Sequence, residues 1–179
     1  MARHLLALAF LAVALGMLAA LVAYFAMPDT FRIARTRVLA APPERVVPFL
    51  SDVRVLDSWD PWPSTTGVPP TVTFSPETSG VGAWIERRDA DGTGARTTIA
   101  SITPTHIEMT NATFGGPFGG GTSLQTFDLR ASGSGTELTW AVTAQLHGLP
   151  RYLWPIMPIE RHVHETMDAA LTRLEAASR

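Results

Sequence analysis

Glu160 and His164 stand four residues apart in a segment with helical periodicity, so they share one helix face. Projected at about 100° per residue, both fall within about 60° of Met167, near the middle of an apolar stripe. A carboxylate that orients an imidazole beside a cavity could do general acid–base work. The plainer alternative is a frayed helix start with both tips in water. His162 and His164 are two apart and point about 200° away from each other on a helix, so they cannot converge on one ion. A zinc site would have to borrow from the sheet, where His106 and His147 are the remaining histidines downstream. No metal and no cofactor are expected.

Trp84, Glu86 and Arg88 alternate along one predicted strand and therefore share a face. If that face lines a cavity, Glu86 and Arg88 orient a ligand there; if it faces water, they are surface charges beside an exposed tryptophan. The two options stand side by side. Trp59, Trp62, Trp84 and Trp140, with Phe114 and Phe118, are the expected aromatic lining or rim of a binding site, and Val163 and Met167 the expected helix contribution. Core packing explains each aromatic singly as well. The run Gly115-Gly116-Pro117-Phe118-Gly119-Gly120-Gly121 has no following Lys-Ser/Thr and joins no strand to a helix, so it reads as a hairpin flap and not as a phosphate loop.

Composition removes several chemistries. The chain has no cysteine, which excludes disulfides, thiol catalysis and thiolate metal sites. All 14 basic residues are arginine, so a lysine Schiff base is excluded. A net charge of −2 leaves no electrostatic footprint for nucleic acid.

Residues 5–27 contain no charge, amide or proline. As a helix this run reaches roughly 34 Å, enough for a hydrocarbon core of about 30 Å. A cleaved secretory signal is the alternative, but cleavage after Ala26 would put Tyr24 at −3, a poor match. The expected organisation is a membrane anchor over residues 1–28 and a folded domain over residues 29–179, a single-pass protein of the inner membrane. Arg32, Arg35 and Arg37 after the span favour a cytoplasmic domain, whereas a short basic tail before it favours the opposite side. The side of the domain stays open.

The elements that must position these residues are legible. Residues 31–40 alternate as a strand, and Pro43 opens a short helix that Pro48 limits or kinks. A second short helix covers residues 53–59. From Thr71 to Leu146, period-two alternation punctuated by glycine turns predicts an antiparallel meander of six strands. Ile159, Val163, Met167, Ala170, Leu171 and Leu174 then mark one stripe of a long closing helix. This is an α+β domain whose sheet is covered by one amphipathic helix.

That order resembles the START-like helix-grip superfamily (SRPBCC), polyketide cyclase/dehydrase branch. The resemblance rests on Ala40-Ala41-Pro42-Pro43-Glu44-Arg45-Val46, Trp59-Asp60-Pro61-Trp62, Gly80-Val81-Gly82-Ala83 and the closing Ala170-Leu171-Thr172-Arg173-Leu174. These are fold signatures and not catalytic motifs. The resemblance implies a curved sheet gripping the C-terminal helix, with a cavity for a lipid or polyketide-like molecule. The expected function is hydrophobic-ligand binding beside a membrane, without chemistry. A cyclase or dehydratase using Glu160/His164 or Glu86, and a tethered interaction module with a filled core, are the alternatives.

Overall fold

Alternation after Pro70 becomes strand pairing in the computed structural model, which describes residues 2–26, 29–60, 67–115, 119–148, 151 and 159–179. The described elements are α1 (Ala2–Ala26), β1 (Thr30–Leu39), α2 (Pro43–Ser51), α3 (Val53–Trp59), β2 (Thr71–Phe74), β3 (Trp84–Arg88), β4 (Gly94–Ile102), β5 (His106–Phe114), β6 (Gly121–Ser132), β7 (Gly135–Gln145) and α4 (Ile159–Ser178). The strands form one antiparallel seven-stranded sheet in the order β1-β7-β6-β5-β4-β3-β2. The expected helix-grip, α+β architecture is the one observed.

Local chemistry explains the boundaries. Pro43 occupies the first turn of α2, where its missing N–H costs nothing, and Pro48 lies inside this nine-residue helix. The Asp52 side chain caps α3 by accepting the Arg54 N–H at 2.9 Å. The β6–β7 hairpin turns through Gly133 at φ 60°, the positive value needed at the first central position of a type II′ turn.

Helix α4 crosses the inner face of the sheet in register with β1. Arg37 Nη1 donates to Thr172 Oγ1 at 2.7 Å, and Arg35 pairs with Asp168 at 3.4 Å. On the opposite flank, Arg173 Nε donates to the Trp59 carbonyl at 3.1 Å, tying α4 to α3. Helix α4 and β1 therefore run in the same direction, with the first turn of α4 at the Thr30 end of the sheet. Between them lies the core. Trp59 sets its edge against Phe127 and Trp140 at 6.2 and 5.9 Å, and those two rings stack at 5.3 Å. The Trp59 Nε1–H is satisfied by the Phe49 carbonyl at 2.8 Å.

Residues Leu6–Ala26 of α1 are long and apolar enough to cross a membrane and are not buried against the domain. A signal sequence at this position meets the same criterion. Helix α1 ends three residues before β1, at the end of the sheet shared by the close of β7 and the start of β6.

Candidate functional site: a polar-floored cavity under the closing helix

Strand register decides which side chains meet under α4. Residues directly opposed in antiparallel strands share a face, so Thr97, Asn111 and Ser123 form one row. Gln125 pairs with Val142, Phe127 with Trp140, and Arg87 with Ala95 on the same inner face. Over them α4 lays Val163 and Met167, flanked by His162 and Thr166. These residues enclose a cavity of about 270 Å³, closed at one side by Asp60 from the end of α3. Trp140, Val142, Val163 and Met167 make its apolar wall. Facing that wall are Arg87, Thr97, Asn111 and Gln125, each at least nine-tenths buried.

Each of those polar groups is oriented. Arg87, 2 % exposed, gives Nε to Asp57 Oδ1 at 2.7 Å and Nη2 to the Asp60 carbonyl at 3.1 Å. Thr97 Oγ1 donates to Asn111 Oδ1 at 3.1 Å. The Trp140 indole, which can only donate, gives its N–H to Gln125 Oε1 at 3.1 Å. That bond fixes the Gln125 amide with its nitrogen as the free end. Among the described residues, Arg35 Nε is the one fully enclosed side-chain nitrogen or oxygen lacking a hydrogen bond. Among the described residues the Asn111 and Gln125 amide nitrogens have no hydrogen-bond partner, and both side chains line the cavity. Burial pushes the Asp60 carboxyl above its ordinary range, while Arg87 and Arg173 pull it down and Asp57 pushes it further up.

Of the residues expected to form the site, Trp140, Val163 and Met167 line this cavity. Trp59 is fully buried in the core beneath it. The inward option for Trp84, Glu86 and Arg88 is corrected by register: Ile85 and Arg87 point inward, so the even-numbered residues occupy the outer face. There Glu86 pairs with Arg88 at 2.8 Å and Arg96 at 2.7 Å. Hydrogen bonding from Arg88, then from Arg96, holds the Glu86 carboxyl below its ordinary range. Arg96 lies over the Trp84 ring at 4.3 Å, and Arg88 over Phe114 at 4.2 Å, which places Phe114 outside as well. Trp62 and Phe118 lie outside the described residues.

Glu160 and His164 are not brought to the cavity. Glu160 is exposed in the first turn of α4. His164 stacks at four-residue spacing with Asp168 and Thr172, on the flank facing β1. His162 lies on the other flank and does line the cavity. Sequence reasoning missed Asp60, Arg87, Thr97, Asn111 and Gln125. For Arg87 the signal in the strand is divided: Ile85, two residues before it, marks its parity as inward, while Trp84 marks the other.

Comparison with known proteins agrees with this architecture. Residues 30–179 match the profile of the family described as polyketide cyclase / dehydrase and lipid transport. No curated protein matches. Among solved structures, Mll3558 from Rhizobium loti superposes with a TM-score of 0.60 at 22% identity, covering 82% of this chain and 96% of that one. Protein CV1439 from Chromobacterium violaceum gives 0.59 at 22% identity, with coverages of 85% and 98%. Ara h 8.0201 gives 0.57 at 14% identity, with coverages of 83% and 97%. At these identities the likeness is one of fold, and the profile match over nearly the whole folded region supplies the family. The chain belongs to the polyketide cyclase/dehydrase and lipid transport family of the START-like helix-grip superfamily.

Proposed function

We propose that this protein holds a hydrophobic small molecule, a lipid or a polyketide-like compound, in the cavity under α4, at the surface of the inner membrane that α1 spans. In this reading residues 1–28 are the anchor and residues 29–179 the binding domain, without chemistry of its own. The observation that carries it is the position of the cavity. Ser123, Val142 and Val163 line it towards the end of the sheet that α1 leaves. A larger depression of about 840 Å³ at that end, lined by Thr110, Leu124 and Thr143 among others, opens on the outer face of the sheet and shares Ser123 with the cavity. A ligand partitioned in the bilayer would reach the cavity from this end, between the sheet and the start of α4.

Native mass spectrometry of the full chain in nanodiscs tests the reading. The expected result is a bound apolar molecule that Val163→Trp, filling the cavity, displaces. A chain that stays ligand-free after exposure to membrane lipid extract would favour the interaction-module reading instead.

A second reading, proton transfer to or from the bound molecule, is favoured by Asp60, a carboxyl that lines the cavity and that burial pushes above its ordinary range. Turnover of a polyketide-like substrate that vanishes in Asp60→Asn while binding persists would establish it, in place of Glu160, His164 or Glu86.

A further inference from the structure

We infer that the cavity selects an uncharged molecule bearing a carbonyl oxygen, and that the Gln125 and Asn111 amide N–H groups receive that oxygen. The inference rests on the binding reading above and names the chemistry of its ligand.

Three observations converge. First, both free amide ends are donors. Trp140 N–H occupies the Gln125 oxygen, and Thr97 the Asn111 oxygen, so the ligand must supply acceptors. Second, both side chains are 8 % exposed and face an apolar wall. A pure hydrocarbon entering here would strip water from four N–H bonds and leave them unmet; a carbonyl would replace that water. An unmet buried donor weakens binding by roughly tenfold to a hundredfold. Third, the guanidiniums at this end are already engaged. Arg87 is held by Asp57 and the Asp60 carbonyl and Arg173 by the Trp59 carbonyl, so a ligand carboxylate would have to displace these partners and would crowd Asp57. Size sets the remaining limit: about 270 Å³ lies at the low end of ligand pockets, which suits one medium chain or a small ring system and not a two-chain phospholipid.

The test uses the full chain in nanodiscs and three probes of equal chain length: a methyl ketone carrying ¹³C at its carbonyl, the alkane and the carboxylate. Titration calorimetry, corrected against empty nanodiscs, should show the ketone bound about tenfold or more tighter than either of the others. Isotope-edited infrared spectroscopy should show its carbonyl band moved to lower wavenumber on binding. Gln125→Glu keeps an acceptor for Trp140 but removes the donors, so it should erase the ketone's advantage over the alkane and its band shift. Asn111→Leu serves the same purpose if Gln125→Glu does not fold. Equal binding of ketone and alkane, an unshifted band, or tightest binding of the carboxylate would each overturn the inference and leave the binding reading standing. No binding of any probe would overturn both.

Discussion

Arg87 Nε meets Asp57 Oδ1 at 2.7 Å and joins β3 to α3 at the edge of the cavity, with the guanidinium buried and the carboxylate 37 % exposed. The pair is therefore asymmetric. Asp57→Ala strands a buried cation and should cost about 2–3 kcal/mol, below the full range for enclosed pairs because Asp57 touches water. Asp57→Ala with Arg87→Met removes the stranded charge, so the double variant should be more stable than Asp57→Ala alone. Urea unfolding of the two variants measures the difference directly.

Asp60 makes stability fall as pH rises. Its folded pKa is raised, so the folded state binds the proton more tightly than the unfolded state does. The stability it contributes is complete below the unfolded value near 3.8 and is lost as pH climbs through the folded value. Asp60→Asn should accordingly stabilise the domain at neutral pH, with the gain shrinking as pH drops towards 3.8. A gain that grows on acidification would contradict burial as the dominant cause.

His106 behaves with the same sign for a different reason. Hydrogen bonds to Asp128 at 2.7 Å and then to Glu108 at 3.2 Å hold its proton and raise its pKa above 6.5. The stabilisation is present in full below pH 6.5 and is lost as pH rises through the folded value. NMR titration should place its imidazole above 6.5, and the stability gap between wild type and His106→Gln should narrow on the alkaline side.

Backbone contact makes Gly135 hard to replace. A Cβ there would run into the Leu39 carbonyl, at the point where β7 meets the end of β1. Gly135→Ala should cost about 1–3 kcal/mol by overpacking. Gly121→Ala, whose Cβ would meet only the Thr113 hydroxyl at 3.7 Å, should change the melting temperature little.

The faces of the sheet separate ligand effects from structural ones. Trp84→Leu removes an aromatic that stacks with Arg96 on the outer face, so ligand affinity should stay within about twofold. Affinity lost in that variant, at unchanged melting temperature, would mean that ligand reaches the outer face.

The fold was legible because its signals are local. Period-two alternation, glycine turns and the closing stripe of Val163, Met167, Ala170 and Leu174 each declare an element within a few residues; the strand expected over residues 31–40 is observed at Thr30–Leu39, and six strands follow between Thr71 and Gln145. The site was less legible. Alternation says which residues share a face, not which face is inside, and β3 carries charges on both. Arg87 can sit inside only because Asp57 meets it from 30 positions away, a contact no window over β3 contains. Asp60 was read within a fold signature, Trp59-Asp60-Pro61-Trp62, and its chemistry arises from burial against α4. His164 sits near the apolar stripe by projection, but Arg35 and Arg37 draw its flank of the helix towards β1.

The short passage from α1 to β1 limits the kind of traffic that the proposed binding function could serve. Three residues separate the elements, a reach of at most roughly 14 Å, and Leu146 N–H already holds the Asp29 carbonyl at 2.6 Å. With α1 in a bilayer, the domain has no slack to swing towards a second membrane. A ferry needs a long tether; an anchored chain of this build would be a post. Under the proposed function its ligand would arrive and depart by lateral diffusion or be passed to a protein that comes to meet it.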